Sequence, residues 1–269
     1  MALALFPWFH STPAPQLHDE IVTAASRALT LDSTLSLPHV ALGLAHWQAY
    51  DWGRAETEFK TAIRLDPGSV EAHVQYARLL RNSGRYREAL SETREARRLD
   101  PASALVLSHM SVDYRLAGQL DSALLESRRA LETDSTNYTT ILFGTMAYLA
   151  SNRVQEAHAL LVRVPETAFG RGYMLARMGD AEGAREVLRR LDARPPVWGD
   201  QAQRAYTYIG LGDTANALSA VERATDAREM WPLTMEDYSP IRDPIRASAR
   251  FRKLLERVGL AEYPVAHIR

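Results

Sequence analysis

The chain has 269 residues, 46% of them hydrophobic, enough to bury a core in one elongated or two compact domains. With 32 basic side chains against 33 acidic ones the net charge is -1, which removes any general attraction to nucleic acid or to an anionic lipid surface. There is no cysteine, hence no disulfide, thiolate nucleophile or cysteine zinc site, and the composition suits a reducing or an oxidising compartment alike.

The opening "MALALFPWFH" lacks a basic leader, and Pro7 interrupts its short apolar run, so residues 1–14 read as an irregular or truncated segment and not as an export signal. No stretch approaches the ~20 apolar residues of a membrane span. Residues 15–33 read as the second helix of a hairpin without its first helix. That leaves Leu5, Trp8 and Phe9 without cover, so a preceding segment carrying more repeats and an effector domain, or a partner at this end, is expected. The expected compartment is the cytoplasm, or the periplasm where a membrane anchor precedes the chain.

From Ser36 onward the chain repeats itself every 34 residues. Ala55, Ala89, Ala123 and Ala157 form one column, and Ala28, Ala62, Ala96 and Ala130 a second. Leu31, Leu65, Leu99 and Thr133 form a third, and Ser33, Pro67, Pro101 and Ser135 a fourth. Within a unit the spacing is helical: Leu42, Gly43 and His46 share a face of one helix, and Ala55, Phe59 and Ala62 a face of the next. Gly84 and Gly118 end first helices, as a residue with positive φ does. Asp-Pro at 66–67 and 100–101 ends second helices, because proline pushes its predecessor out of the α region. Each unit is therefore a helical hairpin. Alanine and glycine recur where helices cross closely, while Trp52, Tyr86, Leu120 and Val154, with His46, Leu80, Tyr114 and Tyr148, are expected to fill the space between hairpins. A lone hairpin cannot bury its apolar face, so the stack must continue.

Full units are expected at 36–69, 70–103 and 104–137, followed by looser ones at 138–164, 165–191 and 198–231. "ARPPVW" at 193–198 is too short to separate independent domains, which makes 15–231 one solenoid. Residues 232–269 read as a cap. Its helix, near 246–258, carries Phe251, Leu254, Leu255 and Val258 on one face under Arg250, Arg252, Lys253 and Arg257, and stops at Gly259.

A 34-residue helix-turn-helix with these Leu-Gly, Tyr, Ala, Phe, Ala and Pro columns resembles the tetratricopeptide repeat, most specifically over 36–135. The resemblance implies an all-α fold, a right-handed solenoid of antiparallel hairpins closed by a C-terminal capping helix. "ALGLAHWQAYDWGRAETEFKTAIRLDP" and "IRDPIRASARFRKLLERVGL" are also similar to the repeat half of bacterial serine/threonine kinases, winged-helix regulators and nucleotide cyclases. No kinase catalytic loop or GxxxxGK[ST] loop occurs, so their catalysis does not carry over.

The remaining chemistry is sparse. His39, His46 and His73 fall in columns of core residues and lack further ligands at metal spacing. "HDE" at 18–20 has no HExxH continuation, and "FGRGYM" at 169–174 has no preceding strand to form a phosphate cradle, which leaves close helix packing as its role. Glu56 and Glu58, two apart on a helix, do not face each other. No catalytic group, cofactor or metal is expected.

The resemblance further implies that the first helices of successive hairpins line a concave groove. It places Val40, Leu44, Trp47, Val74, Arg78, Arg81, Ser108, His109, Val112, Arg115, Leu142, Phe143 and Met146 there. Such a groove suits an extended peptide or an amphipathic helix, with Arg78, Arg81 and Arg115 holding an acidic group. Val40, Leu44 and Val74 stand where chaperone-tail clamps of this family carry polar residues, which argues against that ligand. The expected function is a non-enzymatic protein-interaction scaffold that binds no nucleic acid directly. The alternative is the regulatory half of a bacterial signalling protein whose effector domain lies outside this chain.

Overall fold

A computed structural model describes residues 14–166, 168–229, 245 and 247–261. These residues form helices and turns without a strand. Leu5, Trp8, Phe9 and most of the expected cap lie outside the described residues.

Helix α1 (Ala14–Leu31) packs its buried Ile21 and Ala25 against α2 (Ser36–Gln48). Its exposed residues include Asp19, Glu20, Thr23, Ser26, Arg27 and Thr30, together with Ala24 and Leu31. Antiparallel hairpins follow: α2 with α3 (Trp52–Leu65), α4 (Val70–Asn82) with α5 (Tyr86–Leu99), and α6 (Ala104–Leu116) with α7 (Leu120–Thr133). Next come α8 (Tyr138–Ala150) with α9 (Val154–Leu161), α10 (Arg171–Arg177) with α11 (Ala181–Asp192), and α12 (Asp200–Leu211) with α13 (Thr214–Asp226). The expected final helix is α14 (Ala249–Arg257), whose Phe251, Leu254 and Leu255 are buried, as is Val258 just beyond it.

Small side chains sit at the crossings, as the columns require. Ala55, Ala89, Ala123 and Ala157 are buried, as are Ala62, Ala96 and Ala130. Within a hairpin the facing pair shares a fixed space in different ways. Gly43 meets the ring of Phe59, Ala77 stands at the place equivalent to Gly43 while Thr93 replaces Phe59, and Ser111 and Ser127 face each other with oxygens 2.6 Å apart. In the short unit Gly172 lies against Thr207 and Gly210 against Tyr173 and Ala176, the close packing expected of "FGRGYM". The large columns are less enclosed than the sequence suggests: Leu80 is buried, but Trp52, Tyr86, Leu120, His46, Tyr114 and Tyr148 are half-buried and Val154 is exposed. They lie near the ends of the helices.

Turn chemistry extends the Asp-Pro signal. The Asp66 carboxylate accepts from the Gly68 N–H, and where serine replaces proline Asp32 and Asp134 accept from Thr34 and Thr136 through backbone and hydroxyl together. The first helices end in left-handed residues, Gly84 at φ 77° and Gly118 at φ 76°, with Asn152 at φ 57° in the same column. Tyr50 fills that column in the first hairpin at φ 63°, where a bulky L residue is strained by about 1 kcal/mol.

Two substitutions separate crossing geometry from backbone freedom. A methyl group on Gly43 would come within 2.7 Å of the Phe59 ring, whereas one on Gly53 would meet no atom within 4 Å. Gly43→Ala is expected to destabilise by about 1–3 kcal/mol and Gly53→Ala to stabilise by about 0.5 kcal/mol, read from urea unfolding midpoints.

Candidate functional site

The first helices of the hairpins form the inner layer. α4 and α6 are buried along almost their whole length, whereas α3, α5 and α7 bury one face. Among the residues placed in an open groove by sequence, Arg78 is half-buried and all the others are buried. Val40, Leu44 and Trp47 belong to the apolar cluster of the first hairpins. Val74 packs with Ala96 and Val106 between hairpins, and Val112, Leu142, Phe143 and Met146 belong to the C-terminal cluster. The groove expectation is corrected to this extent: its apolar members join helix to helix.

The polar members form a connected system. Arg81, 2% exposed, donates from Nη1 to Asp113 Oδ1 at 2.8 Å, linking α4 to α6, and the Thr93 hydroxyl of α5 donates to Asp113 Oδ2. His109 Nδ1 lies 3.3 Å from Arg81 Nη2. Burial, reinforced by the charges of Arg81 and Arg78, holds the His109 pKa well below the usual imidazole value, so the ring is neutral and Nδ1 accepts. Its other neighbour is Phe143, edge-on at 5.5 Å. Ser108 donates to the Ala104 carbonyl at 2.6 Å and lies 3.3 Å from the Thr140 hydroxyl of α8. Arg78 donates to Gln75 Oε1 at 2.6 Å, with its guanidinium 5.5 Å from the centre of the Trp47 ring. Arg81, expected to meet a ligand's acid, thus meets the chain's own Asp113.

Asp113 and Thr93 were not singled out from the sequence, although a signal is present. Asp113 interrupts a column of Ala45, Leu79 and Ala147, and Thr93 stands where Phe59 and Leu161 stand. Polar residues in facing columns that otherwise carry apolar ones, Asp113 in the first and Thr93 and Ser127 in the second, mark buried hydrogen bonds.

A second repeated constellation lies between the helices of a hairpin. His39 Nδ1 is 2.6 Å from Glu58 Oε2, and one period later His73 Nδ1 is 2.7 Å from Glu92 Oε2, with His73 Nε2 3.2 Å from the Pro67 carbonyl. In the third hairpin Leu107 replaces the histidine, and Glu126 accepts instead from Arg97 at 2.6 Å and Arg129 at 3.0 Å. The histidines are hydrogen-bonded packing residues, and no group of three or more metal-ligating side chains occurs among the described residues. Glu56 points elsewhere than Glu58, to Tyr76, Lys60 and Arg85.

Repeated antiparallel hairpins in a single stack define a helical-repeat solenoid, the architecture of a protein-interaction scaffold. A family profile described as tetratricopeptide repeat matches residues 46–109. The matched segment carries the tetratricopeptide repeat, and the hairpins on either side of it continue the same fold. No curated protein sequence matches it. Among solved structures it resembles a tetratricopeptide repeat protein from Parabacteroides merdae, 14% identical over 82% of this chain and 92% of that one, TM-score 0.56. It also resembles human IFIT1, solved as a dimer with m7Gppp-AAAA, 18% identical over 90% of this chain and 59% of that one, TM-score 0.62. Pseudomonas aeruginosa pilF is 15% identical over 89% of this chain and 99% of its own, TM-score 0.50. These likenesses concern the fold. No helix among the described residues is long and apolar enough to cross a membrane.

Arg81→Ala leaves Asp113 charged and buried, and is expected to cost about 3–5 kcal/mol of stability, against less than about 1 kcal/mol for Arg78→Ala, measured by urea unfolding. His73 carries a pH signature. Burial lowers its pKa, but the Glu92 hydrogen bond, the Pro67 carbonyl and the charges of Glu92 and Glu95 outweigh that, and the net shift is upward. Its stabilisation is therefore full below the unfolded pKa near 6.5 and lost as pH rises through the raised folded value. The unfolding-midpoint advantage of the unaltered chain over His73→Gln should therefore shrink from pH 6 upward.

Proposed function

We propose that the chain is a non-enzymatic scaffold that binds an extended peptide or amphipathic helix along its inner helices, with an acidic group of the ligand met at Arg78 and Arg115. The reading is carried by the guanidinium content of the inner layer. Arg78 and Arg81 of α4 and Arg115 of α6 share two adjacent helices. Arg81 is committed to Asp113, and the half-buried Arg78 keeps part of its guanidinium at the surface, where a ligand can reach it. Arginine is the side chain suited to a planar carboxylate, which favours an acidic ligand over a purely apolar one.

The test is a selection of random peptides on the full chain. Acidic sequences should be enriched, and Arg78→Ala, which leaves the Arg81–Asp113 pair in place, should weaken the selected peptides by about tenfold or more, the effect of one charge-assisted hydrogen bond. No enrichment, or binders indifferent to Arg78 and to salt, overturns the reading.

A further inference from the structure

The first hairpin touches the last. The Trp52 indole N–H donates to the Val258 carbonyl at 2.7 Å across 206 residues of chain, and the Tyr50 hydroxyl lies 3.4 Å from the Thr225 carbonyl. Tyr50 and Trp52 pack against both apolar clusters, the one around Trp47 and Phe59 and the one that ends in Phe251, Val258 and Leu260. Gly259, in the left-handed region at φ 76°, turns the chain beside the Trp52 ring, with the Trp52 Cδ1 3.5 Å from where its Cβ would be. On its other side α14 is tied to α13: Arg250 reaches Glu222 at 2.7 Å and Arg257 reaches Asp226 at 2.9 Å.

The backbone at Tyr50 shows that this contact is more than the curvature of the stack. In the second and third hairpins the same turn is made by Gly84 and Gly118 without strain, and in the fourth by asparagine, a residue that tolerates φ > 0. The first hairpin alone places a bulky aromatic there, at φ 63°, and its ring goes into the contact with the far end. A side chain kept at a strained position is maintained by what it touches.

From this geometry we infer that Tyr50 and Trp52 form a latch that holds the first hairpin to the capping end and regulates access to the inner helices. In the latched state the ends of the stack are held together, and release of the two aromatics separates them and admits the partner. The access half of the inference rests on the binding reading proposed above; the latch itself does not. Rupture costs two hydrogen bonds, to the Val258 and Thr225 carbonyls, and two half-buried aromatic contacts, while each hairpin keeps its own core.

The experiment uses the full chain and its lack of cysteine. Gly53→Cys, where an added Cβ meets nothing, and Glu256→Cys, an exposed position beside the cap turn, receive spin labels, and the distance between them is read by pulsed electron resonance. In the otherwise unaltered chain the distribution should be short and narrow. Adding Tyr50→Gly and Trp52→Ala should broaden it to longer distances with unchanged helicity by circular dichroism, since glycine is the residue the equivalent turns already use. Should Trp52→Ala lose helicity, Trp52→Phe retains a six-membered aromatic ring and removes the N–H donor with the rest of the pyrrole ring; paired with Tyr50→Gly it should still broaden the distribution. A short, narrow distance that survives removal of both aromatics, or a broad one in the unaltered chain, overturns the latch. The opened variant should also bind a selected peptide about tenfold tighter, because the competent state is no longer the minor one. Equal affinity overturns the access half. The distances need no ligand, so ends that separate in a chain that selects no peptide refute the binding reading and leave the latch standing.

Discussion

Two helices can cross closely only where neither carries more than a small side chain, and the rest of this structure follows from that steric limit. Ala55, Ala89, Ala123 and Ala157 mark it on the second helices, and Gly43, Ala77 and Ser111 on the first. Because each crossing admits a fixed volume, a change on one side is answered on the other: a ring against glycine in the first hairpin, a pair of hydroxyls in the third. A hairpin so built has apolar surface left on both flanks, and stacking covers it. The shortened unit obeys the same limit with Gly172 and Gly210, which is how seven-residue α10 keeps its place between longer neighbours.

The space left at a crossing also decides where polarity enters the interior. With threonine at 93 in place of a phenylalanine, the second crossing has room for a carboxylate from the next hairpin, and Asp113 occupies it. Arg81 then compensates the acid, and His109 is held neutral beside the guanidinium. Arg81 ties the arginine-bearing layer to the next hairpin through Asp113. Arg78 is more exposed and braced on Trp47 and Gln75, so its replacement disturbs the fold less than that of Arg81.

The described stack is not open-ended. Its capping helix is fixed to α13 by ion pairs at the surface, which contribute little each, and to the first hairpin by Trp52 and Tyr50, which bury aromatic area. The division of labour matters. Surface ion pairs orient the cap, while the aromatic contact decides whether the two ends stay together. A repeat protein transmits stability from neighbour to neighbour, and a contact between its ends couples hairpins that otherwise communicate only through the stack.

The sequence by itself determined the repeat. Steric columns at a fixed period predict hairpins, their turns at Gly84 and Gly118, the small-residue crossings and a cap helix with Phe251, Leu254 and Leu255 inward, because each of these depends on neighbours within one or two units. It also located the inner helices, since the family resemblance assigns them, and it read His39 and His73 as packing residues. What only the tertiary structure decided is everything that joins distant units or depends on how tightly the stack closes. The burial of Val40, Leu44 and Trp47, the choice of Asp113 as partner for Arg81 and the meeting of Trp52 with Val258 belong here. A period fixes the step from one hairpin to the next. The small rotation of each step accumulates over the stack, and where its ends meet depends on that sum, which no single column carries.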